Sequence, residues 1–299
     1  MKKLLALFLV LASATAFANS RQNVSIFWPF SVGSNQVNFV RAIIDEANNQ
    51  QNKYQFVVEF KSGAGGTVAA QHVARAEQLT LLTSSSSFFV RPVYYPNESH
   101  KIEDFRPIYI ECTGQPMSIL SVKYKTLDEL KKQKRLTIGV GLGSITESAA
   151  RELQKHLPNT QLDLIPYGGT FPAVRDMLGG TLDLAAGWIA DTRQFVEIGK
   201  AYSIGITGTK ELEGYKTFHN QKIRGFEELV GNYAIMTSKR VSDQQAEELH
   251  NILRKGAQAS SRLNGYYYLD VCTPADLNWK QTQDIYKRWQ QYWPEKLKK

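Results

Sequence analysis

The stretch SGAGGTVAAQHVARA, residues 62–76, sets three glycines within four positions and then runs straight into residues that favour helix. Glycine costs conformational entropy, so a chain that keeps it at such a turn needs the backbone bare there. The turn joins elements of different periodicity. YQFVVEF, residues 54–60, reads as a strand, residues 67–76 as a helix, and LTLL, residues 79–82, as the next strand. Upstream, NVSIFW (23–28) is β-rich, and residues 35–48 bring Val37, Val40, Ile44 and Ala47 onto one helical face. The resulting βαβαβ order predicts a parallel sheet with crossover helices, whose ligands bind at the carboxyl ends of the strands.

The same alternation returns further along. MSILSV (117–122) reads as a strand, and residues 126–134 as a helix opened by a Thr126/Glu129 capping box. LTIGV (136–140) is the next strand, followed by GLGS and a helix over 145–157 with a Ser144/Glu147 box. LDLIP, FPAVRDML, LDLAA and AYSIGIT continue as strand, helix, strand and strand. The tail adds YAIM, a long helix opened by a Ser242/Gln245 box, the strand YYYLDV and a last helix from Pro274. The expected organisation is α/β with two domains, 19–121 plus 225–299 and 122–224, joined by a strand out and a strand back that make a hinge.

The first residues, MKKLLALFLVLASATAFANS, carry two lysines, a short apolar core and an A-x-A pattern ending at Ala18. They read as a secretory signal over 1–18, too short in its apolar part for the roughly 20 residues of a membrane span. The product is expected to be soluble and periplasmic. The 299-residue chain has a formal net charge of +8, densest at Lys131, Lys132, Lys134 and Arg135 and in the terminal EKLKK. These clusters read as solvated helix faces. No interleaving of aromatic and basic residues reads nucleic acid, which leaves a mild preference for anionic ligands. Cys112 and Cys272, the two cysteines, can pair in an oxidising compartment or remain free. They are too few for a zinc framework, and no cofactor or metal is expected.

Three glycine-rich turns, GAGGT, GLGS and PYGGT, each end a strand and open a helix. Such turns put exposed N–H groups and the positive end of a helix at one sheet edge, a setting that holds carboxylates or phosphates. Neither a P-loop nor a complete dinucleotide fingerprint is present. A nucleophile elbow and paired metal-binding histidines are lacking too. His72, His100, His156, His219 and His250 are scattered, which disfavours a secreted hydrolase or lyase, the enzymatic alternative. Trp279, Tyr286, Trp289 and Trp293 recur at helical spacing and, with Phe88 and Phe89, read as packing against the first domain.

FWPFSVGS, EFKSGAGGTVAAQHVARA, EDFRPI, IPYGGTFPAVRDMLGGTLDLAAG and AYSIGITGTK occur in an order that resembles the Bug family, the extracytoplasmic solute-binding proteins of tripartite tricarboxylate transporters. The resemblance implies a two-domain type II periplasmic binding fold, a Venus flytrap whose lobes close on a small solute, usually a carboxylate. It places the ligand among Phe30, Ser31, Gly33 and Ser34; Gly65, Gly66 and Thr67; Ser84, Ser85 and Ser86; Gly143, Ser144, Thr146 and Glu147; and Tyr167, Gly168, Gly169 and Thr170. On that reading Gly65 and Gly66 are bare so that the solute reaches main-chain amides.

The sequence also departs from the family's pattern. Val32, Ser34 and Val37 replace a proline, a glycine and an acid of the first loop, Gly168 stands where lysine is frequent, and Ala186, Gly187 and Trp188 replace FDN. Trp188 is therefore expected on the ligand edge of a pocket whose polarity differs from that suited to a dicarboxylate. The implied partners are the membrane permease subunits of a tripartite tricarboxylate transporter or, in the alternative binding reading, a sensor kinase of a two-component system. A monomer without catalysis is expected.

Overall fold

The computed structural model describes residues 21–30, 32, 35–263 and 273–297. The expected signal segment over 1–18 and the expected strand YYYLDV lie outside the described residues. Two sheets organise the chain. The first, of six strands, has the order β11-β4-β10-β3-β1-β2, with β1 at Gln22–Trp28, β2 at Tyr54–Phe60, β3 at Thr80–Ser84, β4 at Phe105–Gln115, β10 at Gly231–Ser238 and β11 at Thr273–Pro274. The second, of five, has the order β7-β6-β8-β5-β9, with β5 at Met117–Ser121, β6 at Arg135–Val140, β7 at Gln161–Pro166, β8 at Leu184–Trp188 and β9 at Tyr202–Ile206.

The parallel expectation holds for three strands of each sheet. β2, β1 and β3 are parallel, as are β7, β6 and β8, but β10 runs antiparallel to both β3 and β4, and β5 antiparallel to β8 and β9. Both sheets are mixed because the chain leaves one and returns to it. β4 and β5 are separated only by Pro116, which has no N–H to leave without a ladder partner. The chain passes from the first sheet to the second at Pro116 and re-enters the first at Gly231, opposite Gln115. Buried Thr207, just past β9, extends the β5–β9 pairing to the crossing: its N–H donates to Met117 O at 2.8 Å, and its Oγ1 accepts from Met117 N at 2.9 Å.

Helices cover the sheets much as the periodicity predicts. Val37, Val40, Ile44 and Ala47 of α1 (Asn35–Asn49) are buried, and Phe39, Ala42 and Ile43 join them. The stripe is wider than that of a surface helix because α1 lies between the sheet and a helix over Asp243–Ala259. Two helix expectations are corrected. The Thr126/Glu129 box forms, yet its helix spans only Leu127–Leu130, since Leu127 and Leu130 are buried and the lysines that follow have nothing apolar to bury. The last helix begins at Trp279, after Thr273–Pro274 has paired with Thr113 and Cys112. A reciprocal Asn278–Gln281 box sets that start, each backbone N–H donating to the other side chain at 2.9 Å. Its Tyr286 and Trp293 are buried, and Tyr286 and Trp289 meet Phe89 edge-on at 5.2 and 6.0 Å. Cys112 is buried and disulfide-bonded; Cys272 lies outside the described residues.

Candidate functional site

The strand ends of both sheets meet around a cavity of about 400 Å³. Among the described residues, four helices begin in its lining, α3 (Ser87–Tyr94), α5 (Ile145–Lys155), α6 (Thr170–Leu178) and α7 (Ile189–Glu197), while α2 (Thr67–Arg75) starts just behind the lining turn of Gly63, Ala64 and Gly65 and Leu127–Leu130 is counted as α4. Three of the four lining N-caps, Ser86, Gly169 and Trp188, give no side-chain hydrogen bond to the first turn. Only Ser144 does, its Oγ accepting from Thr146 N at 3.1 Å. Each N-terminus stabilises a nearby anion by about 0.5 kcal/mol, so four converging on one volume rival a formal positive charge. Six of the lining residues are aromatic: Trp28, Phe30, Tyr167, Phe171, Trp188 and Tyr233.

Of the residues expected here, Phe30, Gly65, Ser85, Ser144, Thr146, Tyr167, Gly168, Gly169, Thr170 and Trp188 line the cavity. Ser31, Gly33 and Ser34 lie outside the described residues. Gly66, Thr67, Ser84, Ser86, Gly143 and Glu147 stand behind the lining. Thr67 Oγ1 accepts from Arg91 Nε at 3.1 Å, and Ser86 Oγ donates to Val230 O and accepts from Asn232 N at the return crossing. Ser84 closes β3. Trp188 turns its ring edge-on to Tyr233, with centroids 6.0 Å apart. None of His72, His100, His156, His219 and His250 lines the cavity.

Packing and backbone conformation also require Gly65 and Gly66 to be bare. Both adopt positive φ, 60° and 97°. A Cβ on Gly65 would stand 2.5 Å from Leu142 O, on the turn that leads into α5, and 3.0 Å from Arg91 Nη1. The glycine permits contact between turns belonging to different sheets. A Cβ on Gly66 would meet Pro29 Cβ at 3.3 Å, and the Gly66 N–H already donates to Gly63 O.

Arg91, which the sequence reading passed over, fastens that contact. It is 5% exposed, lines the cavity and donates from Nη1 to Leu142 O at 3.0 Å. Ile145 N donates to Ser87 Oγ at 3.4 Å, and Tyr94 OH to Ser148 Oγ at 3.1 Å. Glu147 completes this seam between α3 and α5 but forms no capping box with Ser144. Its carboxylate is fully buried, accepts from Gly143 N at 2.6 Å and from Tyr95 OH at 3.2 Å, and pairs with Arg151 at 2.6 Å. Burial and the neighbouring Glu147 carboxylate hold the Tyr95 phenol protonated beyond its ordinary range. Glu147→Ala removes the acceptor of three donors, and because Arg151 is half-exposed the expected loss is about 2 kcal/mol, below that of a fully buried pair. Thermal denaturation should register it as a fall of several degrees, with Arg151→Ala falling less; equal midpoints for wild type and Glu147→Ala would contradict the seam.

Asp191 and Tyr233 also escaped the sequence reading. Asp191, in the first turn of α7, is 5% exposed and lines the cavity beside Trp188. Burial, then the charges of Asp191 and Glu111, raise the Tyr233 phenol well above its usual value. Tyr233 belongs to the return strand β10, and only the crossing brings it to the same wall as Trp188.

The family model described as tripartite tricarboxylate transporter family receptor matches residues 40–278. Among solved structures, the periplasmic binding protein BugD is 24% identical, with a TM-score of 0.83 and coverage of 93% of this chain and 97% of its own. The R. palustris protein Rpa4515 with adipate is 19% identical, with a TM-score of 0.79 and coverage of 93% and 97%. MatC from Rhodopseudomonas palustris with bound malate is 18% identical, with a TM-score of 0.78 and coverage of 92% and 99%. The two mixed sheets thus have the architecture of two-lobed periplasmic binding proteins.

Proposed function

Since the chain belongs to the tripartite tricarboxylate transporter receptor family, we propose that it captures a small carboxylate-bearing solute in the periplasm and hands it to the membrane subunits of a transporter. Residues 1–18 are its export signal. The lobes follow the sheets, one built from the strands up to Gln115 and from Gly231 onward, the other from those between. The observation that supports capture of an anion is the convergence of four helix N-termini, three without a side-chain cap, on one cavity. The solutes of the adipate-bound and malate-bound neighbours are carboxylates, which agrees with this charge preference.

The solute bridges turns from both lobes, so its contacts favour the closed arrangement over an open one by the difference in affinity between the two. Capture is binding without turnover. Thermal-shift screening of the mature protein against carboxylates, amino acids, aromatic acids and amides tests the reading. At a hundredfold excess over Kd, a bound solute adds about 2.7 kcal/mol of stability, a rise of several degrees, and is recovered chemically unchanged. Stabilisation only by uncharged or cationic compounds, or conversion of the solute, would refute it.

A further inference from the structure

Arg91 and Asp191 are the charged side chains among the described residues that line the cavity, and each is 5% exposed. They belong to different walls. Arg91, on α3, is fixed by Thr67 at the start of α2 and by Leu142 just before α5, so its charge adds to two helix N-termini. Asp191 sits in the first turn of α7, one turn on from Trp188 and close enough to Tyr233 for its charge to bear on the phenol. Asp191 is also engaged within the protein, but a carboxylate's two oxygens offer about four acceptor sites. Its own negative charge offsets the dipole of α7. The cavity thus carries a cationic side chain on one wall and an anionic side chain on the other.

A dicarboxylate seated with one end at the Arg91 wall would bring its other end toward Asp191, in a volume whose aromatic lining screens charge poorly. A solute of the same length ending in an ammonium group would place opposite charge there. Building on the carboxylate-capture reading above, we propose that the site selects an amino-carboxylate over a dicarboxylate, with Asp191 as the specificity-determining residue that receives the ammonium group.

Matched probes that differ only at the second terminus test this: 6-aminohexanoate against adipate, and 4-(aminomethyl)benzoate against terephthalate. Calorimetry on the mature wild-type protein should give at least tenfold tighter binding of the amino member in a pair that binds. In Asp191→Asn the ratio should fall at least tenfold, with the dicarboxylate gaining affinity. Because the ratio is taken within one protein sample, partial unfolding of the variant does not move it, and the wild-type ratio stands even if the variant fails to fold. Tighter wild-type binding of the dicarboxylate, or a ratio unchanged by Asp191→Asn, would overturn the selectivity while leaving carboxylate capture intact. Failure of all four probes together with every carboxylate in the thermal screen would overturn both.

Discussion

Valine at position 65 is expected to lower solute affinity at least a hundredfold in calorimetry and to reduce the melting midpoint by several degrees. Gly65 has φ 60°, where a β-branched residue is strained by roughly 1–2 kcal/mol. The larger effect is steric. Its Cβ would lie 2.5 Å from Leu142 O, a backbone atom that cannot rotate away and that accepts the Arg91 bond. Relief requires separating the α2 turn from the α5 turn, which widens the cavity both turns line. Gly66→Val is the control. It also strains a left-handed position, at 97°, but its nearest neighbour is Pro29 on the same side of the cavity. That variant should lose stability while keeping most of its affinity. Wild-type affinity in Gly65→Val, or the greater loss of affinity in Gly66→Val, would show that the two turns need not touch for capture.

The second large effect is a pair of opposed pH dependences in the first lobe. Glu111 is fully buried, with Thr83 Oγ1 and Gln36 Nε2 donating to it at 2.5 and 2.9 Å, and desolvation pushes its pKa up to about 7. The folded state therefore binds this proton more tightly than the unfolded one. The stability it gives is complete below the unfolded value near 4.5 and is lost as pH rises to 7, about 3 kcal/mol in all. His100 does the reverse. Burial against Phe88 lowers its pKa to about 4, and its Nε2–H donates to Phe88 O at 2.8 Å in the neutral ring. Folded protein must stay neutral there while unfolded chain protonates, so stability falls by about 3 kcal/mol as pH drops from 6.5 to 4.

Between pH 4.5 and 6.5 the two slopes nearly cancel in the wild type. Non-titrating replacements separate them. Glu111→Gln should be more stable than wild type at pH 8 by about 3 kcal/mol and should lose that advantage on acidification to pH 4.5. His100→Gln, which keeps a donor for Phe88 O, should gain on wild type as pH falls from 6.5 to 4. Chemical denaturation across this range measures both differences. Parallel pH profiles for the wild type and the two variants would mean that neither group titrates differently in the folded chain.

The sequence by itself determined what depends on neighbours along the chain. The apolar face of residues 35–48, the strands around each glycine-rich turn, the Thr126/Glu129 box and the aromatic stripe of the last helix all follow from spacing, and the structure carries each of them. Residues at the strand-to-helix turns could be placed at a cavity for the same reason, because strand ends in one sheet share an edge. Tertiary structure decided what joins distant segments. The antiparallel placement of β5 and β10 depends on a crossing at Pro116 that leaves no periodic signature. Arg91 and Asp191 lie mid-sequence among ordinary helix residues, and only the approach of α3 to the Leu142 turn, and of α7 to Tyr233, gives them a wall to line. Gly65 shows the division within one residue: the chain specifies a bare turn locally, but the atom that would strike its Cβ belongs to a turn far along the sequence.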